Sequence, residues 1–562
     1  TDFSFSVKIP QSVSENENDE DEFIKQPSIL EQKAYRDTWG RGLDSYIQWL
    51  HETCSVLWEL LRDTGSIYIH LDYHIGHYAK VVLDEIFGID KFINEIAWVR
   101  SSARANIKLG FSGGHDVIFM YSKSDSPIWN PQYLPLSEKY IESHYSYIEQ
   151  GTGRKFRLDN MISPNPDRPN LKYEWNGVIK VWRVTKEKMQ SLDKEGRIVY
   201  TKQGVAQYKR YLDESEGTPL STAWTDIPPV NSQAAERVDY RTQKPEPLIS
   251  RIIKSSSNEN GLVLDCFCGS GTTPTVAEKL NRRWIACDLS RFAIHTTRKR
   301  LLGIQNVKPF VVQNLGKYER QDWQKAEFGQ ASAQAAYREF VLKLFHAQPV
   351  HGYTWLHGLR GGHMVHVGVV DAPVSTGDIA NIVTEYKRAV GSGKDAPQSN
   401  HIDLLAWDFA FELNEVAQQQ AALANVQLHF HRIPRDVMDK RAVQQGDIQF
   451  FELAALSVEP QIKGRQVTLS LTDFVIPPDD VPQDVQKAVT HWSQWIDYWA
   501  VDWDNQSDTF HNMWQTYRTK KEPKLKTSAM HIYEQPGEYT VVVKVIDILG
   551  NDTTRTVKIT VG

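Results

Sequence analysis

Residues 262–273, LVLDCFCGSGTT, crowd an acid, two thiols, two glycines and several hydroxyls into one turn of chain. An apolar strand there breaks at Gly269 and Gly271 and resumes as a helix-forming run. Residues without a Cβ let the backbone turn tightly and approach a ligand closely. Two phosphate-binding patterns are disfavoured. The third glycine of a dinucleotide fingerprint would fall at 274, which is Pro274, and no lysine follows Gly271 as a P-loop requires. A nucleoside ligand without a pyrophosphate remains.

Asp288 closes the next apolar strand, 17 residues after Gly271. A carboxylate there can accept from both ribose hydroxyls, or it can cap a helix starting near Ser290. A glycine turn with an acid at this spacing suits S-adenosylmethionine, whose sulfonium needs no anion cradle. Of the four cysteines, Cys266, Cys268 and Cys287 flank the turn and Cys54 lies apart. A Cys-x-Cys metal site is the alternative there; two pairs at zinc-knuckle spacing do not occur, so buried thiols on strands are the preferred reading.

The elements that must position this turn follow from periodicity. Residues 43–62 have helical apolar spacing, 66–72 read as a buried strand, 78–87 as a helix, and 92–100 and 115–123 as strands. Helix 246–255, the glycine strand, a helix to Leu280 and the strand 284–288 continue the alternation. The expected fold class is α/β, a doubly wound, Rossmann-like sheet with parallel strands. Residues 125–235 interrupt it as an inserted region. Within them, 151–210 hold 14 Lys and Arg against 6 Asp and Glu, interleaved with aromatics. That suits a nucleic-acid backbone, or a solvated face over an ordinary core.

A charged connector is expected at 311–345, a small α/β domain at 346–460 with strands 363–371, 401–409 and 426–433 and helices 377–390 and 413–424, and a β-rich end at 461–562 that closes in a hairpin. At 562 residues, 41% hydrophobic and 24% charged, the chain has the composition of a soluble multidomain protein. The net charge of −6 excludes a uniformly basic protein, and the acidic run 15–22 reads as a solvated loop. No apolar run reaches membrane-spanning length, so the expected location is the cytoplasm, with no membrane partner.

TQKPEPLISRIIKSSSNENGLVLDCFCGSGTT with WIACDLSRFAIHTTRKRL resembles the amino-methyltransferases of DNA in which the cofactor motif follows the catalytic half. DTGSIYIHLD, FINEIAWVR and HDVIFMYSK are similar to strands of that half in the modification subunits of type III restriction systems. The resemblance covers about residues 35–305, within a methyltransferase domain placed at 1–310. It implies that Asp265, Phe267, Gly269 and Gly271 line the methionine end of S-adenosylmethionine, that Asp288 meets its ribose, and that Lys244 approaches its carboxylate, the alternative being a lysine that caps a carbonyl. Asp72 would face the same crevice, or cap the helix after it. A metal held by His70, Asp72, His74 and His77 is disfavoured, because the two pairs leave a strand and a helix in unforced directions. The implied partners are double-stranded DNA, a second copy of the chain and a restriction or helicase subunit. Arg154, Lys155 and Arg157 are the candidate DNA contacts.

The family's Asp-Pro-Pro-Tyr or Asp-Pro-Pro-Phe turn, expected before residue 35, does not occur in these 562 residues. DIPPVN (226–231) has an insertion and no aromatic, and IPPD (476–479) lies in another domain. An N-terminal truncation is the simplest expectation, and the catalytic residues are therefore unassigned. The C-terminal IDYWAVDWDN with HIYEQPGEYTVVVKVIDILGNDTTRTVKITV resembles a PKD-type immunoglobulin-like β-sandwich, with Trp503 as core aromatic and Tyr539 on a strand. The leading expectation is an adenine N6 methyltransferase of a restriction or defence system. A non-catalytic DNA-binding scaffold is the alternative, and a nicotinamide oxidoreductase is disfavoured by Pro274.

Overall fold

A computed structural model describes the chain except residues 1–4, 9–21, 26–42, 73, 101–110, 112, 232, 239, 241, 329–332, 392–396, 398, 411–420, 422, 439–442, 444–447, 449, 453, 477–488, 507–508, 520–521 and 549. The acidic run 15–21, most of the helix read at 413–424 and most of IPPD lie outside the described residues. The chain divides into two compact units, one of residues 53–229 with 250–258 and one of 1–52, 230–249 and 259–562. Helix α1 (Leu43–Leu60) runs across the first of these divisions.

In the first unit, β1 (Ser66–Leu71), α2 (Gly76–Phe87), β2 (Phe92–Val99) and β3 (His115–Ser122) fall where the periodicity places them. Ala79, Leu83 and Phe87 recur at four-residue spacing and bury one face of α2. The expectation of parallel strands fails here: β3 is antiparallel to both β1 and β2. The reason is direct pairing of neighbours: the end of β2 pairs with the start of β3, Val99 opposite His115, so the chain doubles back on its own strand. Parallel neighbours need a crossover from one end of the sheet to the other.

The inserted region builds its own sheet in the order β8-β9-β5-β4, from β4 (Tyr147–Ile148), β5 (Lys155–Asn160), β8 (Ile198–Tyr200) and β9 (Ala206–Tyr211). The hairpin of β6 (Lys172–Trp175) and β7 (Val178–Val181) turns on Asn176 and Gly177, both at positive φ, as a two-residue loop demands. Trp182, Met189 and Ala206 are fully buried, with α3 (Lys186–Lys194) supplying Met189 and Leu192. The chain re-enters the first sheet through β10 (Ala223–Trp224), parallel to β2.

In the second unit, after α4 (Glu246–Ser256), β11 (Leu262–Asp265), α5 (Thr272–Lys279), β12 (Arg283–Ala286) and α6 (Arg291–Leu302) form a right-spaced β-α-β-α run, with β11 and β12 parallel. The segment read as a connector holds α7 (Gly316–Phe328) and α8 (Ala333–Leu344). It is part of the small α/β domain: Tyr337, Val341 and Leu342 of α8 are buried in one cluster with Val365, Val367 and Leu405. That domain's sheet runs β13 (Gln348–Pro349), β14 (Gly358–Arg360), β15 (His363–Val367), β16 (His401–Ala406), β17 (Gln427–Arg432), β18 (Phe451–Glu452), with β15, β16 and β17 parallel. Helix α9 (Thr376–Ala389) buries Ile379, Ile382 and Tyr386 with Met364, Ile402 and Leu404, the strand residues of opposite parity, so helices cover both faces. Asp403 lies inside β16 and accepts from His431 at 3.1 Å.

The C-terminal segment forms two antiparallel sheets, β19 (Ala455–Lys463), β20 (Gln466–Val475) and β23 (Ser528–Ile532) in one, and β22 (Trp514–Tyr517), β21 (Ile496–Asp502), β24 (Gly537–Asp547) and β25 (Asp552–Val561) in the other. Leu469, Phe474, Trp499, Trp503, Val541 and Val543 form a common core.

Candidate functional site

The chain leaves β11 at Asp265 and turns through 266–271 into α5. Both glycines sit in the left-handed region, Gly269 at φ 50° and Gly271 at φ 73°, a conformation that costs other L-residues about 1–2 kcal/mol. What faces their missing side chains is protein. A methyl on Gly269 would lie 3.3 Å from the Tyr240 ring. One on Gly271 would lie 2.8 Å from Cβ and Cγ2 of Thr297 on α6, and closer still to its Oγ1. The expectation that the glycines exist for ligand approach is thus replaced, at Gly271, by close packing of the turn on a helix.

Asp288 is tied to this turn. Its Oδ2 accepts from the Gly269 N–H at 2.8 Å, and its Oδ1 from the Ser290 N–H at 2.9 Å. Ser290, not Asp288, caps α6, accepting from the Ala293 N–H. Asp265, half-buried at the strand end, accepts from the Phe267 N–H at 3.1 Å. Burial pushes its carboxyl above the usual range, hydrogen bonds from Thr273 and Phe267 oppose this, and the charge of Asp288 adds to it. The three thiols are held neutral, chiefly by burial: Cys266 is pushed up to about 11, Cys268 to about 12 and Cys287 upward as well. Cys268 alone is buried, and Cys287 is exposed, in contrast to the buried strand thiols expected. Phe267 is exposed and its ring lies 5.4 Å from that of Trp49 on α1.

A buttress below the turn escaped the sequence reading. Arg300 of α6, nearly buried, donates to the Ser270 carbonyl at 3.0 Å, to Thr272 Oγ1 at 2.9 Å and to Glu246 at 3.0 Å. Glu246 also takes Lys279 at 2.6 Å, and Thr272 Oγ1 donates to the Lys244 carbonyl at 3.0 Å. The signal was present in the spacing of Ala293, Thr297 and Arg300, one face of α6. Lys244 has its Nζ 3.5 Å from the Thr242 carbonyl.

The other named residues belong to the first unit. Asp72 is exposed; its Oδ1 accepts from the His74 N–H at 3.0 Å in a turn leading into α2, whose N-cap position is Ile75. His70 turns instead to Asp116 at 2.9 Å, which also holds Arg100, and His77 is exposed on α2, so these side chains do not converge. Asp226 of DIPPVN is paired with Arg251, which lowers its pKa. Among the candidate DNA contacts, Arg154 forks onto Asp213 at 2.8 Å, reaches Glu214 and lies over the Tyr211 ring at 3.7 Å. Arg157 donates to Tyr140 Oη at 2.6 Å. Lys155 is exposed.

With the turn, its two carboxylates and its helix described, the comparison with known proteins becomes informative. Residues 23–299 match the family model for DNA methylases of the N6/N4 type. The type II methyltransferase M.EcaI of Enterobacter cloacae is 31% identical over 260 residues, which is 46% of this chain and 57% of that one. The StyLTI Mod subunit, a type III restriction-modification enzyme of Salmonella typhimurium strain LT2, is 27% identical over 270 residues, 44% of this chain and 41% of that one. The chain thus spans about half the length of these curated relatives. The solved M1.HpyAVI–SAM complex aligns over 46% of this chain and 83% of that one, at 16% identity and a TM-score of 0.25, too low to transfer geometry. Among the described residues no helix is long and apolar enough to cross a membrane.

Proposed function

We propose that the protein binds S-adenosylmethionine at the 265–271 turn and belongs to a DNA amino-methyltransferase, acting on adenine N6 in a restriction-modification or defence system. The observation that carries the cofactor reading is the pair of acids at the turn. Asp265 is desolvated and pushed towards its neutral form by burial and by Asp288. A pyrophosphate would add negative charge to an already anionic turn, whereas a sulfonium or ammonium would restore the ionised Asp265. The Asp288 carboxylate, bonded to the Gly269 N–H, stands where the strand-end acid of a nucleoside site grips ribose hydroxyls. When bound, the cofactor supplies an electrophilic methyl group.

The chain's own residues hold and orient. Gly269 and Asp288 fix the turn, Phe267 with Trp49 offers an apolar plate, and Lys244 is the proposed partner of the cofactor's α-carboxylate. Double-stranded DNA is the substrate under this reading. Lys155 meets a phosphate, and Arg154 and Arg157 reach DNA only by exchanging their present partners. The target base would be taken out of the stack, at about a few kcal/mol, so that its amine can attack in line. No Asp-Pro-Pro-aromatic turn that would hold that amine occurs in these 562 residues, so the residues that hold it are unassigned. A homodimer and a restriction subunit remain its proposed partners, and the cytoplasm its place. The C-terminal two-sheet segment is read as a PKD-like contact module. Calorimetry of S-adenosylmethionine with this chain tests the cofactor reading directly, and absence of binding at millimolar ligand refutes it. Transfer of labelled methyl to unmethylated DNA by the protein, with the product nucleoside identified, separates adenine N6 from cytosine N4.

A further inference from the structure

Helix α6 has two working faces. One carries Ala293, Thr297 and Arg300, which pack under the glycine turn as described. The other carries His295, Arg298, Lys299 and Leu302, at i, i+3, i+4 and i+7, and all four meet the C-terminal two-sheet segment. His295 Nε2 lies 2.7 Å from Asp497 Oδ2 of β21, and Lys299 Nζ donates to both oxygens of Asp497 at 2.9 and 2.8 Å. Arg298 lies over the Tyr498 ring, 6.0 Å from its centroid, and Leu302 packs with Tyr498, Ala500 and Ile546.

A second route reaches the same turn. The tight turn between β24 and β25 places Gly550 against the backbone of Phe292, 3.5 Å from where a methyl would sit. Phe292 stacks on Tyr240 at 6.4 Å between centroids, and Tyr240 is the ring that faces Gly269. The middle of α6 is therefore held through Asp497 and its first turn through Gly550.

We infer that the C-terminal segment is part of the foundation of the cofactor turn, and that Asp497 is a positioning residue which sets Gly271 and Ser270 through α6. A tethered adaptor would leave α6 solvated on this face. Here the helix instead places a nearly buried histidine and a lysine on one carboxylate of the C-terminal sheet. Removing that carboxylate leaves both without their acceptor and frees α6 to shift by the few tenths of an ångström that Gly271 cannot absorb against Thr297.

The inference rests on the cofactor reading above, and its test separates the two. Calorimetry with the full chain should show Asp497→Ala weakening S-adenosylmethionine by about tenfold, the size typical of coupling through packed elements, with Asp497→Glu recovering most of the loss. Leu469→Ala, in the core of the same segment but away from α6, should lower the melting temperature and leave that affinity within about twofold. Amide exchange at residues 269–273 should quicken in Asp497→Ala and not in Leu469→Ala, whether or not ligand is present. If Asp497→Ala does not fold, Lys299→Met takes its place with the same expectations. Wild-type affinity and exchange in the Asp497 or Lys299 variant overturn the inference, as does an equal loss in Leu469→Ala. Failure of the wild-type chain to bind S-adenosylmethionine strikes the cofactor reading alone, because the exchange comparison still decides the role of Asp497.

Discussion

Gly271→Ala is the most exposing perturbation of the site. The residue holds φ 73°, and a left-handed alanine costs about 1–2 kcal/mol before any contact is considered. The added methyl would sit 2.8 Å from Cβ and Cγ2 of Thr297, a side chain only 5% exposed. Real Cβ contacts are not that short, so either the turn or α6 must move, and α6 is tied to the turn by Arg300 and held from behind by Asp497. Overpacking of this kind costs a further 1–3 kcal/mol or so, giving a total of about 2–5 kcal/mol. Gly269→Ala meets only the edge of the Tyr240 ring at 3.3 Å and should cost about 1–2 kcal/mol, mostly from its φ of 50°. Because the chain has several domains, native-state amide exchange over α5 and α6 is the measure, since it reads local opening free energy. The companion variant Thr297→Ala removes two of the three clashing atoms and sacrifices a weak bond from Thr297 Oγ1 to the Gly269 carbonyl at 3.4 Å. The double variant should therefore lose at least about 1 kcal/mol less than the sum of the singles. Additive losses, or a Gly271→Ala protein within about 0.5 kcal/mol of wild type, would refute the packing account.

The acids of the turn make a pH prediction. A carboxyl raised by burial holds its proton above the usual range, so the folded state gains relative stability as pH falls into that window, while a bound cation must displace the proton. Affinity for S-adenosylmethionine should accordingly weaken on acidification through the raised Asp265 value, and Asp265→Asn should be weaker by about tenfold at neutral pH and flat with pH, both read by calorimetry. In the small α/β domain, burial pushes His357 down to about 3 and His366 down to about 4, so both stay neutral while the unfolded chain protonates near 6.5. Stability is fully present above pH 6.5 and lost as pH falls towards 4, at up to about 1.4 kcal/mol per pH unit for each histidine, and amide exchange of β15 at pH 7 and 5 should show it. Arg300→Met leaves the Ser270 carbonyl and Glu246 without their buried donor, and a loss of about 3–5 kcal/mol in α5 and α6 protection is expected. Lys155→Ala should weaken DNA binding and lower the salt slope by about 1, whereas Arg154→Ala should first destabilise the inserted sheet through its contacts to Tyr211 and Asp213.

Local elements were legible because their burial is periodic: Ala79, Leu83 and Phe87 on α2, or the alternating β11, announce themselves at local range. The direction of β3 was not legible, since a strand's residue pattern is the same whichever way the chain runs, and only the pairing of Val99 with His115 marks it as antiparallel. The boundary at 311–345 failed for a related reason: the buried face of α8 is amphipathic in sequence, but its partners Val365 and Leu405 lie tens of residues away.

At the site the strand, the glycine turn and the helix after it were legible, while the cause assigned to one of the glycines was not. Gly271 is glycine because Thr297, 26 positions later, occupies the space its side chain would need, a reason no local pattern contains. The same distance hides Arg300 and Asp497, whose charges read as ordinary helix and strand surface until the fold places them on the turn and on α6. Local chemistry marks where a ligand could sit. What holds that place to a few tenths of an ångström is supplied by partners remote in sequence, and for this turn they include the C-terminal sheet, so the affinity of the turn and the integrity of that sheet should be inherited together.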